Sequence, residues 1–535
     1  QIIPDPDNAD TPFPLSDVQH AYLIGRSGIY ELGNVAAHCY FEFDSIGLDI
    51  ERANSAWQRL IEHHAMLRTV IKKNGQSQQI LSEVPFYKIE IFDFNRMPLE
   101  KCESELQRIR YEMSHQIIPM DQWPLFDIKA SLYDNKRVRL HVSFDNLILD
   151  GWSMFHILNE WSKLYQEPET LLPVLELSFR DYILAFTKLK ESELYRQDQE
   201  YWKSRLQDLP PAPELPLLHN PEPGEHYRFS RFESKLENTA WEQLKNRAKQ
   251  AGLTPSGLLL AAYAEVISLW CNSSRFTINL TTFNRPPLHP QIDKILGDFT
   301  SLSLLAVNNS SAGSFTKRAQ NLQQQLWQDL DHPYFSGIES LRELFKMKND
   351  RRGATMPIVF TSALGLDQSD EDAIGNNSLG EFIYGISQTP QVLMDHQVLE
   401  TSGQLVFIWD TVKELFPKGL LDDMFDSYCR LLYKLAEDDK AWNDKILVSI
   451  PENQLKIRNM VNATERDLPA EMLHTLFEKK AIQQPEKEAI VTSRLKLSYG
   501  ELSARSECIG RLLRKEGTAP NTLVAIVMEK GWEQV

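Results

Sequence analysis

Residues 138–153, VRLHVSFDNLILDGWS, change their period midway, and that change fixes the local fold. Val138, Leu140, Val142 and Phe144 alternate with Arg139, His141, Ser143 and Asp145. Successive side chains of a strand point to opposite faces, so the alternation predicts a strand with one apolar face. Beyond Leu149 the apolar positions Met154, Ile157, Leu158, Trp161 and Leu164 fall at helical spacing. Asp150 stands at the change, where a carboxylate accepts from the orphan N–H groups of a first helical turn. The stretch therefore predicts strand, loop and helix, with Asp145, Asp150 and Ser153 crowded at the junction. Polar groups on a loop held by rigid elements are a common seat of function.

Size and charge narrow the rest. A chain of 535 residues suggests three or four units of ordinary domain size, and 42% apolar with 24% charged residues is globular composition. The net charge of −17 disfavours nucleic acid and anionic membrane as partners, because both need a basic footprint. No apolar run reaches the ~18 residues of a membrane helix, and the first residues, QIIPDPDNADTPFPL, have no basic region and no apolar region of a signal peptide. Cys39, Cys102, Cys271, Cys429 and Cys508 are scattered and odd in number, with no metal-ligand spacing. They read as reduced thiols of a cytoplasmic protein.

Other stretches order the chain. Residues 13–26, FPLSDVQHAYLIGR, predict a short helix capped by Ser16. Residues 49–70 predict a helix with Ile50, Ala53, Trp57, Leu60, Ile61 and Leu67 on one face, and Asn74-Gly75 marks a tight turn after it. Strands are expected over 86–92, 126–132 and 137–144, and helices over 100–116, 153–165 and most of 178–206. This mixture suggests a two-layer α/β sandwich. Residues 209–225 hold six prolines and predict a linker. The second half repeats the mixture. It has a helix opened by Thr254-Pro255, then strands over 275–287, 297–307 and 356–364, and a part-extended stretch over 387–397.

These stretches, in this order, resemble the core motifs of the heterocyclization domains of nonribosomal peptide synthetases, a branch of the condensation-domain superfamily. Where ordinary condensation domains carry two histidines, three residues and Asp-Gly, this chain has Asp145, Asn146, three residues, Asp150 and Gly151. The pattern of Asp145, Asp150 and Ser153 is similar to the heterocyclization signature, and residues 13–26, 63–76, 209–225, 254–270, 275–287, 297–307, 356–364, 387–397 and 409–419 resemble the family's other motifs. From about 451 the stretches 462–491 and 497–506 resemble the opening of an adenylation domain. The Gly/Ser/Thr-rich phosphate loop of such a domain is not reached before Val535, so no amino-acid activation is expected of this polypeptide.

The resemblance implies an α/β fold of two chloramphenicol-acetyltransferase-like lobes, 1–185 and 186–450, in a V-shaped pseudo-dimer with a central tunnel, followed by 451–535 as linker and truncated adenylation domain. It implies an enzyme that joins a carrier-bound acyl or peptidyl thioester to carrier-bound Cys, Ser or Thr and then closes a thiazoline or oxazoline ring with loss of water. Its partners would be donor and acceptor peptidyl carrier proteins, and the adenylation domain of the same polypeptide. No cofactor or metal of its own is expected, because the carriers bring their phosphopantetheine arms. Asn146 cannot take a proton at neutral pH, so coupling must rest on positioning or on another group. Ring closure moves protons and needs a group that gives and takes them. The resemblance assigns that part to Asp395, with Thr361 as hydrogen-bonding or relaying partner, Gln391 orienting the amide carbonyl and Asn284 in the tunnel wall. Asp150 is expected to be structural, paired with Arg285 across the lobes, because a buried charge needs a partner. Ser153 is expected to cap or pack, and Asp145 either to shape the loop or to touch substrate. His20, His141, His156 and His396 read as packing or surface residues. Two other readings are an ordinary condensation domain that forms only the amide, and an inactive docking or scaffold module. The missing histidines argue against the first, and the joint presence of Thr361 and Asp395 against the second.

Overall fold

The computed structural model describes residues 2–310, 313–348, 356–365, 378–467 and 470–535. The chain divides into two compact units, Gln1–Pro451 and Glu452–Val535. The second unit, among its described residues, is a small pairing of Glu488–Val491 with Lys496–Ser498 and the helices Glu452–Asn462, Leu473–Gln483 and Tyr499–Lys515.

The first unit is built on two mixed sheets. One has five strands in the order Glu381–Gln388, His38–Ile46, Arg137–Asp145, Phe126–Tyr133, Glu90–Asp93. The other has six, in the order Thr300–Asn308, Arg275–Phe283, Ile358–Ser362, Met394–Thr401, Gln404–Thr411, Ser230–Leu236. Ile358–Ser362 pairs in parallel with both of its neighbours, and the other pairings of this sheet are antiparallel. The fold is the mixed α/β class expected from the sequence, in its two-lobed form.

Each sheet has a core made by helices whose apolar stripes face it. In Ile50–His63 the residues Ala53, Trp57, Leu60 and Ile61 are fully buried. The Trp57 ring meets Phe126, Phe144 and Trp161 at centroid separations of 5.3, 6.0 and 4.7 Å. Such rings bury on the order of 1.5–3 kcal/mol each, with about 0.5–1.5 kcal/mol more per well-oriented pair. Pro255–Trp270 is apolar nearly all round, and a helix of that kind belongs inside a core. Its Tyr263 packs on His396 and Trp409 beneath the second sheet. Among the described residues no single helix is long and apolar enough to cross a membrane.

The helix predicted over 49–70 stops early. It runs Ile50–His63, and His64 turns extended before a 3₁₀ turn and the strand Thr69–Ile71. The His64 ring is held at 2.5 Å from Glu160, which anchors the break. The Asn74-Gly75 turn follows, with Gly75 at φ +63°. Residues 209–225 form no regular element, as their prolines predict.

One strand is in an unexpected place. Glu381–Gln388 comes from the second half of the chain but pairs with His38–Ile46 at the edge of the first sheet, with Ser387 opposite Cys39. The two halves are thus joined by backbone hydrogen bonds as well as by side chains. His141, Ser143 and Asp145, on the polar face of Arg137–Asp145, are all buried, and their side chains find partners within the first half: His141 bonds Tyr40 and Ser131, Ser143 bonds His38 and Gln116, and Asp145 pairs with Arg26.

Candidate active site

The second sheet places a row of polar side chains on one face. Asp395 and Gln397 alternate on Met394–Thr401, so both point the same way. Asp395 lies opposite Val359 on one side and Asp410 on the other, Gln397 lies opposite Thr361, and Asp410 lies opposite Arg231. Thr361 Oγ1 donates to Asp395 Oδ1 at 3.2 Å. Gln397 Nε2 donates to Asp395 Oδ2 at 2.7 Å and to Ser387 Oγ at 2.7 Å. Ser387 in turn donates both N–H and O–H to Asp410 Oδ2, at 2.9 and 2.8 Å, and Arg231 holds Asp410 by two bonds of 2.8 and 2.7 Å. Burial pushes the Asp395 carboxyl up to about 6, and the Asp410 charge adds to it, against the Gln397 and Thr361 hydrogen bonds and the Arg231 charge. A group poised there holds both protonation states near neutral pH, as a proton-transfer residue must.

This row opens on a cavity of about 220 Å³ lined from both halves of the chain. Asp395, Thr361, Gln391 and Gln397 come from the second half, and Val18, Tyr22, Cys39, Asn146 and Gly151 from the first. Asp395 and Asn146 therefore face one space. The Asn146 Oδ1 atom is buried and has no hydrogen-bond partner among the described residues. A second cavity of about 350 Å³ adjoins through Cys39, Phe155, Ser387 and Gln397, and a third of about 240 Å³ through Val18 and Thr300. Gln391 sits at φ +64° with its N–H on Leu32 O at 2.9 Å, a backbone form unusual for a residue with a side chain. Asn284 lines the third cavity and not the one at Asp395.

The residues around Asp150 form a clamp set back from the cavity. Asp150 caps Gly151–Gln166 by accepting from Ser153 N at 2.7 Å, and Arg285 donates to its Oδ1 at 3.1 Å. Arg285 also donates to Ser153 Oγ at 2.8 Å, and Ser153 Oγ donates to Gly297 O at 3.0 Å. Asp145 is fully buried and ion-paired with Arg26, and it accepts from Leu147 N at 3.0 Å. Burial raises its carboxyl and the Arg26 charge opposes that. None of Asp145, Asp150 and Ser153 lines the central cavity, whereas Asn146 and Gly151, their neighbours in sequence, do.

Sequence reasoning passed over Gln397, Ser387, Asp410, Arg231 and Asp298. The first three were within reach of strand alternation in DHQ, ISQ and IWD, but the pairing of strands that brings them together is not written locally. Asp298 is buried beside the third cavity with Oδ2 unpartnered among the described residues, and burial pushes its carboxyl up to about 8. His396 and His141 are buried in packing environments, and burial lowers both.

Comparison with known proteins places the chain in a family. Residues 32–454 match the condensation domain family. The chain is 36% identical over 99% of its length to pyochelin synthetase PchF of Pseudomonas aeruginosa, of which it covers 29%. It is 33% identical over 98% of its length to phenyloxazoline synthase MbtB of a Mycobacterium species, of which it covers 44%. The chain thus spans less than half the length of these curated relatives. Among solved structures it resembles the cyclization-docking bidomain of the EpoB synthetase from Sorangium cellulosum, with a TM-score of 0.76 and 39% identity, over 83% of this chain and 88% of that one. It also resembles the nonribosomal peptide synthetase FmoA3, with a TM-score of 0.82 and 31% identity, over 100% of this chain and 54% of that one. With its paired histidines replaced and a Thr–Asp pair on the cavity wall, the chain belongs to the condensation-domain family, in the cyclization branch of the nonribosomal peptide synthetases.

Proposed function

We propose that this chain couples two carrier-bound units and then cyclodehydrates the product to a thiazoline or oxazoline. The observation that carries the proposal is the Thr361–Asp395 pair on the wall of a cavity that Asn146 shares. In coupling, the acceptor amine attacks the donor thioester carbonyl. The C–N bond forms, the C–S bond breaks, and the amine proton leaves with the donor arm's thiol. Asn146 can take no proton, so the gain here is proximity, which holds the two tethered groups together.

In ring closure the side-chain thiol or hydroxyl of the added residue attacks the new amide carbonyl, and its proton passes to the carbonyl oxygen. The C–OH bond then breaks as water, the amide nitrogen gives up its proton, and a C=N bond forms. Asp395 as acid delivers a proton to the departing hydroxyl, and as carboxylate it takes the nitrogen proton. Thr361, whose hydroxyl both donates and accepts, passes protons between Asp395 and the cavity. Gln391 orients the amide carbonyl. Asp150, Arg285, Ser153 and Asp145 hold the loop and the joint between lobes 1–185 and 186–450, and Asn284 belongs to the wall of the third cavity.

Donor and acceptor peptidyl carriers are the partners we propose, each reaching the central cavity with its phosphopantetheine arm through one of the adjoining spaces. The second unit we read as the opening of an adenylation domain, continuous with the motif-like stretches over 462–491 and 497–506. The cytoplasm, where carriers are loaded, is the compartment we propose.

The test is incubation with an acyl-loaded donor carrier and an acceptor carrier loaded with Cys, Ser or Thr in turn, followed by intact mass. Coupling followed by loss of one water is expected with at least one of the three. Coupling without water loss would favour the ordinary condensation reading, and no coupling at all would favour a scaffold. Thr361→Val should lower ring closure roughly tenfold to hundredfold, the kinetic equivalent of about 1.5–3 kcal/mol for a hydrogen bond to a charged group. Thr361→Ser, which keeps the hydroxyl, should recover most of it in the same assay.

A further inference from the structure

We propose that Gln397 is a positioning residue that fixes which oxygen of Asp395 carries its proton, through a chain of hydrogen bonds beginning at Arg231. The inference rests on Asp395 acting in ring closure as described above. It starts with Asp410, which Arg231 grips with two hydrogen bonds and which, as a carboxylate, can only accept. Ser387 has one O–H, and that O–H goes to Asp410 Oδ2 at 2.8 Å. Toward Gln397, 2.7 Å away, Ser387 Oγ can therefore only accept. This settles the orientation of an amide whose two ends are otherwise interchangeable, because the NH₂ end must face Ser387. The same nitrogen lies 2.7 Å from Asp395 Oδ2, so Oδ2 is an acceptor in both protonation states of Asp395.

The proton of the acid form is thereby left to Oδ1, the oxygen 3.2 Å from Thr361 Oγ1. As carboxylate, Asp395 accepts from Thr361 at that oxygen. As acid, it donates there, and the Thr361 O–H turns to the cavity. The direction of this bond reverses with each proton passed, and that reversal is what a relay requires. The titratable groups near Asp395 are Asp410 and Arg231 on neighbouring strands, Cys39 on the first sheet, Tyr22 on Asp17–Gly25 and Tyr263 beneath the sheet. Of these, Asp410 and Arg231 belong to the chain itself. Ser387 stands on the strand that crosses to the first sheet, so the chain also ties the proton's position to the joint between the two sheets.

The experiment measures ring closure against coupling in one reaction, with an acyl-loaded donor carrier and the acceptor residue that the parent cyclises, across pH 5–9. Gln397→Leu should lower the ratio of ring closure to coupling roughly tenfold. It should also move the Asp395 limb of the pH–rate profile to higher pH, because a hydrogen bond favouring the carboxylate is gone. Ser387→Ala should shift the ratio and the limb in the same directions by less, and Ser387→Thr, which restores the hydroxyl, should return both toward the parent. If Gln397→Leu also loses coupling, Ser387→Ala decides. A parent-like ratio and an unmoved limb in Gln397→Leu and Ser387→Ala would overturn the inference. Asp395→Asn run alongside separates the levels. If it alone loses ring closure, only the positioning chain fails, and if it too closes rings at the parent's rate, the reading of the site fails.

Discussion

Asp395→Asn should leave the linear carrier-bound product forming while ring closure falls about 10²–10⁴-fold, the usual span for a proton-transfer group. The amide of asparagine fills the same space and still accepts from Gln397, which donates to Asp395 Oδ2 at 2.7 Å. It cannot deliver or take a proton. Intact mass separates the two products by one water. Equal loss of both would show that Asp395 serves coupling or folding instead. Stability offers an independent control. Burial raises the carboxyl to about 6 in the folded chain, above its ordinary range, so the folded state holds the proton more tightly than the unfolded chain does. The stabilising share of that proton is complete at acid pH and is lost as pH rises through about 6. At pH 8 the parent carries the cost of a buried carboxylate and the asparagine variant does not. Asp395→Asn should therefore melt at or above the parent's temperature at pH 8, so that lost ring closure cannot be blamed on lost structure.

That a carboxyl would stand at this point was legible from motif order, and its surroundings were not. Local period gave Arg137–Asp145, Gly151–Gln166 and Ile358–Ser362 to within about two residues, because alternation and helical spacing are written in consecutive side chains. Ser16 and Asp150 read correctly as caps for the same reason. The row Val359, Asp395, Asp410, Arg231 exists only through register between four strands that are distant in sequence. No local pattern fixes such a register. The crossing strand Glu381–Gln388 was missed because its pairing partner, His38–Ile46, is more than three hundred residues earlier in sequence. Arg26 and Asp145 each stood inside a recognised motif, yet neither motif announces that they meet.

The clamp beneath the site gives the other large effect. Asp150→Ala should destabilise the first unit by about 3–5 kcal/mol, the usual cost of leaving one member of a buried ion pair unmatched. Arg285 is only 5% exposed at its side chain, so removing the carboxylate leaves a largely desolvated cation without its counter-charge. It keeps Ile292 O and Ile295 O at 2.9 and 3.0 Å and stacks 3.9 Å over Phe299, contacts that hold the cation in place without neutralising it. The first turn of Gly151–Gln166 also loses the cap on Ser153 N. Phe299 N, which donates to Asp150 Oδ2 at 3.3 Å, loses its acceptor as well. Adding Arg285→Met to Asp150→Ala should recover part of the loss, since the unmatched charge is then gone and an apolar side chain of similar length takes its place. Thermal and urea unfolding of the parent, the single variants and the double variant measure this directly. Asp150→Ala that unfolds with the parent but has lost both coupling and ring closure would mean that Asp150 acts on substrate and not on the joint.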